Sequence, residues 1–179
     1  MKAIALRYGS YAAALVIVLS LVAWLWERGK TIDYSTTEIW GYLTLVASMV
    51  FVYLGIRHYR DSERGGYLSF GDGIKLGVLI VLIPSLAFGL YNVVYTEWLN
   101  PEFMEAYFNQ NLEQLRAQLP AEEYARQEKD LLAQKEMFQN PFLGFALMFF
   151  TVFIIGLIAS IISTIALLRN PPRSEVGGA

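Results

Sequence analysis

Long charge-free apolar runs alternate along this chain with short polar connections, and one long polar stretch interrupts the alternation. The charge-free runs cover residues 8–26, 39–56, 76–96 and 137–168. A helix needs about 20 mostly apolar residues to cross about 30 Å of hydrocarbon, so each run suffices for one crossing. The pattern therefore predicts an all-α polytopic membrane protein with four transmembrane helices, over about 8–26, 39–56, 74–98 and 141–168. Composition agrees: 17% of the residues are charged, where a soluble domain carries about a quarter. Soluble core helices are the competing reading, but four such runs in 179 residues leave too little polar surface to cover them.

The polar stretch, residues 99–140, reads as a helical-hairpin insert between the third and fourth spans. Asn100-Pro101 and Asn140-Pro141 each look like a cap followed by a first-turn proline, which predicts a helix start at both edges. Met104, Phe108, Leu112, Leu115 and Leu119 recur every three or four residues and make one apolar stripe on the first insert helix. Pro120 ends that helix and opens a second, with Glu122 and Glu123 at its positive end. Tyr124, Leu131 and Phe138, seven residues apart, give the second helix a face to pack on the first. From Glu97 to Gln139 the stretch holds nine acids and four bases, a net charge of −5 against +3 for the rest of the chain. That sign disfavours lying flat on anionic lipid and leaves the stripe as a candidate surface for an extracytoplasmic protein partner.

The connections orient the spans. Lys2, Arg7, Arg57, Arg60, Arg64, Lys75, Arg169 and Arg173 lie on one side, eight bases close to span ends. The other side has six, Arg28, Lys30, Arg116, Arg126, Lys129 and Lys135, four of them diluted in the acidic insert. Cytoplasmic segments are enriched in Lys and Arg, so both termini are expected inside and the insert outside. Trp24, Trp26, Trp40 and Trp98 then all mark the outer interface. The first run resembles a signal peptide, but Ala23-Trp24-Leu25-Trp26-Glu27 lacks a small-x-small cleavage site, so the run is read as a retained span. Gly and Asp residues make residues 57–73 a basic turn, Pro84 is expected to kink span three by depriving the Ile80 carbonyl of its donor, and Arg169 to Arg173 stop span four. Ser174 to Ala179 form a short tail.

Catalytic chemistry finds few parts. With no cysteine there is no disulfide, thiol nucleophile or thiolate metal site. His58 is the only histidine and sits among Arg57, Tyr59 and Arg60, where a solvated or interface histidine is a better reading than a ligand. Glu122-Glu123-Tyr124-Ala125-Arg126 resembles the paired-glutamate motif of intramembrane CAAX-type proteases, yet the arginine is one residue too close and the histidines are missing. Gly71-x-Gly73 before Lys75 lacks the strand and the Gly-Lys-Ser/Thr order of a phosphate cradle, so a turn and helix cap explain it better. No ionisable residue lies inside a span, as charge-coupled transport would require. Ser85 and Asn92 in span three suit helix–helix hydrogen bonding better than a polar path. No catalytic, cofactor-binding or metal-binding residue is assigned, and neither an enzyme nor a nucleic-acid binder is expected.

Helix packing leaves a clearer signal. Gly73-x-x-x-Gly77, Ser85-x-x-x-Gly89 and Gly156-x-x-x-Ser160 place small residues one turn apart, allowing close backbone approach between spans three and four. The same motif serves contacts within one bundle or between copies in a homo-oligomer.

The order and spacing of these pieces resemble a bacterial family of uncharacterised four-span membrane proteins, domain of unknown function four-one-nine-nine. The resemblance is carried by Lys2 and Arg7-Tyr8-Gly9, by Gly55-Ile56-Arg57-x-Tyr59-Arg60-Asp61, and by Gly66-Tyr67-Leu68-Ser69-Phe70-Gly71 leading to Lys75-x-Gly77. Asn100-Pro101-x-Phe103, the acidic insert, Asn140-Pro141 and Gly156-Leu157-Ile158 continue it over nearly the whole chain. It implies an inner-membrane protein of a Gram-negative cell and carries over no catalytic residue. The expected function is non-enzymatic, binding a partner or organising the membrane, with a subunit of a small oligomeric transporter or channel as the alternative.

Overall fold

The computed structural model describes residues 1–27 and 34–169. Its elements are α1 (Lys2–Glu27), α2 (Tyr34–Ser48), α3 (Val50–Glu63), α4 (Phe70–Val94) with a π-helical turn (Tyr95–Leu99), α5 (Phe103–Gln118), α6 (Ala121–Phe138) and α7 (Pro141–Leu167). Four stretches are long and apolar enough to cross a membrane: Lys2–Trp26, Glu38–Glu63, Phe70–Leu99 and Pro141–Leu167. The expected loop bases Arg28 and Lys30, and the expected stop from Asn170 through Arg173 with the tail beyond, lie outside the described residues.

α4 packs against α1, α3 and α7, most extensively against α7. The α4–α7 contact is antiparallel and repeats every four residues: Gly73 faces Thr164, Gly77 faces Ser160, and Val81 lies on Gly156. A Cβ added to Gly77 would stand 2.5 Å from both Cβ and Oγ of Ser160. Farther along, Gly89 lies against Phe145. Lipid tails are as apolar as leucine, so such contacts are held by dispersion between closely approaching backbones. Two hydroxyls inside the seam turn back on their own helices, Ser85 Oγ donating to the Val81 carbonyl at 2.8 Å and Ser160 Oγ to the Gly156 carbonyl at 2.7 Å. Thr164 Oγ1, also buried there, has no hydrogen-bond partner among the described residues.

Pro84 does not interrupt α4, which runs through it from Phe70 to Val94. The Ile80 carbonyl that loses its donor there is met by α1: a Cβ on Gly9 would fall 2.8 Å from that oxygen. Glycine thus lets a Cα–H group lie beside the freed carbonyl. The span that divides into two helices is the second. Ser48, fully buried, donates to the Leu45 carbonyl at 2.6 Å, and Val52 N–H bonds the Met49 carbonyl, so α2 and α3 meet in a tight turn at Met49.

The ends of the elements also correct the sequence reading. Residues 57–63, read as part of a basic turn, are the last two turns of α3. The reversal occurs at Gly65 and Gly66, whose φ values of 59° and 88° suit glycine. α4 starts at Phe70 rather than near Ile74, capped by Ser69, whose Oγ accepts from Asp72 N–H at 3.2 Å. Gly71 and Gly73 therefore lie inside the helix. The Asn140-Pro141 start of α7 forms as expected, with Asn140 Oδ1 accepting from Phe142 N–H at 3.0 Å. Asn100 does not cap α5. Its N–H closes the π-helical turn on the Tyr95 carbonyl at 2.8 Å and its amide reaches the Tyr95 hydroxyl at 3.2 Å, so α5 begins only at Phe103.

α5 and α6 pack on one another as a hairpin. Phe108 is 2% exposed, its ring 6.1 Å from that of Phe138. Met104, Leu112, Leu115 and Leu119 are half-buried.

Two outcomes follow from this packing. Gly77→Ala should lose about 1–3 kcal/mol of stability to overpacking. Gly71→Ala, which meets nothing within 4 Å, should change it by less than about 1 kcal/mol. Unfolding of the detergent-solubilised protein checks this, and equal midpoints for the two variants would contradict the close α4–α7 contact. Phe108→Ala should cost the hairpin about 3–5 kcal/mol. Limited trypsin digestion should then cleave at Arg116 and Arg126 several-fold faster, with the thermal transition of the membrane bundle retained.

Candidate functional site

Polar side chains gather at the two ends of the bundle. At the end carrying the N-terminus, the last turns of α3, the Gly65-Gly66 reversal and the start of α4 form an ion-pair network. Arg60 meets Asp61 at 2.7 Å and Arg57 approaches the same carboxylate at 3.6 Å, while the Met1 amino group reaches Glu63 at 2.9 Å. Arg64 joins two elements, donating from Nε to the Tyr59 hydroxyl at 2.7 Å and from Nη2 to Asp72 at 2.9 Å. The Tyr59 bond is the main cause that raises the Arg64 pKa above its ordinary value, with the Asp72 charge adding to it. The loop is also tied to the end of α7 by an antiparallel backbone bridge, Leu68 N–H to the Arg169 carbonyl at 2.9 Å and the return bond at 3.3 Å.

Close by, α1 and α3 approach through Gly55, where a Cβ would stand 3.2 Å from Tyr8. A row of rings follows this groove: Tyr11 and Tyr8 have centroids 6.0 Å apart, and Tyr8 and His58 5.8 Å. Phe51 joins Tyr11 at 5.9 Å. Arg7 Nε donates to the Tyr11 hydroxyl at 3.2 Å with its guanidinium 6.0 Å from the ring centroid. His58 is thus an interface residue between α1 and α3. Among the described residues no three His, Cys, Asp or Glu side chains gather as a metal would require.

The opposite end carries the hairpin, and an aromatic ladder joins it to α4. Ring centroids run from Phe88 to Tyr91 at 6.1 Å, Tyr91 to Tyr95 at 5.9 Å, Tyr95 to Phe103 at 5.2 Å and Phe103 to Tyr107 at 6.1 Å. Tyr107 then meets Phe108 at 5.5 Å, which leads to Phe138 on α6. Aromatic pairs at these separations contribute about 0.5–1.5 kcal/mol each beyond their buried area. Burial, with Glu38 of α2 as a further cause, pushes the Tyr107 hydroxyl pKa up. On α6, Tyr124 donates to Glu128 Oε1 at 3.0 Å, and this bond is the first cause that raises its pKa.

The structure brings together the residues read as helix packing, Gly73, Gly77, Gly89, Gly156 and Ser160 at the α4–α7 seam, with Ser85 buried on α4 in the same four-residue series. It does not leave Met104, Phe108, Leu112, Leu115 and Leu119 as an open surface, because none of the five is exposed. The stripe is taken up by the packing of the insert itself. The exposed apolar side chains of the hairpin are on α6 instead, Leu132 at 44% and Met137 at 58%. Leu132 lines a shallow depression with Ala125, Glu128, Lys129, Ala133 and Glu136. Glu122 and Glu123 are exposed and unconnected with any histidine. Sequence reasoning missed the aromatic ladder, although rings at 88, 91, 95, 103 and 107 follow the helical spacing of three and four across most of it.

No curated protein and no solved structure matches the chain. Residues 7–169 match the model of a family described as protein of unknown function, DUF4199, and that range takes in the α1–α3 groove, the ion-pair network, the α4–α7 seam and the hairpin. The chain belongs to this family, DUF4199.

Proposed function

We propose that the protein is a non-enzymatic inner-membrane protein with cytoplasmic termini, whose extracytoplasmic hairpin docks a protein partner bearing a basic surface. The observation that carries this reading is the hairpin's combination of firm attachment and an unfilled face. The ladder from Phe88 to Phe138 and the buried Phe108 fix α5 and α6 to the bundle, so little ordering entropy is lost when a partner binds. The α6 face around Leu132 is outward, partly apolar and flanked by Glu128 and Glu136. The net −5 of the insert gives the partner's sign. The orientation is supported by the basic residues at the N-terminal end and by Trp26, Trp40 and Trp98, all exposed at the hairpin end.

Since the chain has no cysteine, one introduced at Gln118 is a unique reporter of side. A membrane-impermeant maleimide should label Gln118→Cys in intact spheroplasts; labelling only after lysis would reverse the topology. For docking, a photocrosslinking amino acid at Leu132 should give one discrete protein adduct in native membranes. Reversing Glu128 and Glu136 to Lys should reduce that adduct at least several-fold. If the adduct is no stronger than that from lipid-facing Ile162, or ignores the charge reversal, the docking reading fails.

A further inference from the structure

We propose that the rim of the bundle around Arg7 binds the phosphodiester headgroup of an anionic phospholipid. The proposal goes beyond the docking reading and holds for either orientation of the chain. It starts from the charges at the N-terminal end. Three acids of the described residues lie there, and each is already held: Asp61 by Arg57 and Arg60, Glu63 by the Met1 amino group, and Asp72 by Arg64. Among the described residues no ion pair reaches Lys2, Arg7, Lys75 or Arg169, and all four are exposed. The end therefore presents, among the described residues, four exposed cations with no carboxylate partner, a number typical of juxtamembrane anionic-lipid sites.

Arg7 is the best-formed of the four. It lies in the second turn of a helix long and apolar enough to cross a membrane, with Leu6 and Tyr11 exposed beside it, and an arginine so near the end of a span reaches the headgroup level. Its Nε donates to the Tyr11 hydroxyl and its Cζ lies 6.0 Å from the Tyr11 ring centroid, which leaves the two terminal nitrogens as a fork. A fixed guanidinium fork matches two oxygens of a phosphodiester. Beside it the rings of Tyr8, Tyr11, Phe51 and His58 line the contact between α1 and α3 and offer aromatic edges. Acyl chains can follow the exposed apolar face of α1, where Val18, Val22 and Leu25 continue the side of the helix that carries Arg7 and Tyr11. A soluble phosphate would gain only the fork; a lipid gains the fork and the apolar wall.

The test uses the full chain in a zwitterionic detergent, with bound lipid counted by native mass spectrometry during titration with phosphatidylglycerol or phosphatidylcholine. Phosphatidylglycerol should bind several-fold more tightly, and Arg7→Gln should weaken it about fivefold, the effect of roughly 1 kcal/mol per basic residue at an anionic surface. Lys129→Gln, on the insert, should leave it unchanged. An unaltered thermal transition of Arg7→Gln without added lipid shows that the fold is intact. Equal binding of the two lipids, or wild-type binding by Arg7→Gln in a folded protein, overturns the proposal. Inorganic phosphate that competes at the concentration of the lipid itself would assign the rim to a soluble anion and overturn the lipid.

Discussion

In hydrocarbon, the apolar side chains of α4 and α7 gain nothing by exchanging lipid for one another, so the two helices need some other reason to stay together. That reason is the absence of side chain at Gly73, Gly77 and Gly156, which brings two backbones into contact along an antiparallel seam. Each missing Cβ is filled by a side chain of the facing helix, Thr164, Ser160 and Val81 in turn. The rest of the bundle is built on α4 by the same means. Gly9 of α1 admits Ile83 and the Ile80 carbonyl, and Gly55 of α3 admits Ile80 and Tyr8. Four helices thus share one principle of contact, and α4, which packs against α1, α3 and α7, is its centre.

The two ends of α4 are joined to polar structure in different ways, and the difference suits their surroundings. At Ser69 and Asp72 the attachments are charged and short, a salt bridge from Arg64 and a helix cap, in a place where water and headgroups can solvate whatever is left over. Salt bridges there add little energy each, about 0–1 kcal/mol. At the far end the helix widens into the Tyr95–Leu99 π-helical turn, and the attachments are rings. Aromatic side chains with hydroxyl edges tolerate a boundary that is apolar on one side and wet on the other. The hairpin therefore grows out of α4 through a joint built on ring contacts.

How much of this was legible in the sequence depends on what each signal encodes. Span number and the small-residue motifs were readable because both are periodicities of one helix: length in the first case, a four-residue repeat in the second. The partners of Gly9 and Gly55 were not, since a single glycine in a span names no facing helix. The same limit explains the insert. Met104, Phe108, Leu112, Leu115 and Leu119 share one helix face as their spacing requires, but spacing cannot say whether that face meets water, a partner or α6. The Asn-Pro pairs show the local code failing outright. Asn140 caps α7, whereas Asn100 gives its N–H to Tyr95, because a helix is still ending where the next was expected to begin.

The break in span two is of another kind. Ser48 is an ordinary small residue in a charge-free run, and nothing about its neighbours marks it. Buried among apolar side chains, its hydroxyl must find an acceptor, and the nearest is the Leu45 carbonyl on its own helix. Next to that bond Met49 N–H goes to the Val46 carbonyl, one residue short of the α-helical partner, and the Met49 carbonyl is shared between Val52 and Tyr53, so the span divides into α2 and α3. Three hydroxyls of the bundle interior are thus consumed in shaping helices: Ser48 closes a turn, while Ser85 and Ser160 bond back within α4 and α7. Thr164 Oγ1, buried against Gly73, has no hydrogen-bond partner among the described residues, so at that rung the α4–α7 seam carries the cost of a desolvated hydroxyl and is held by close packing alone.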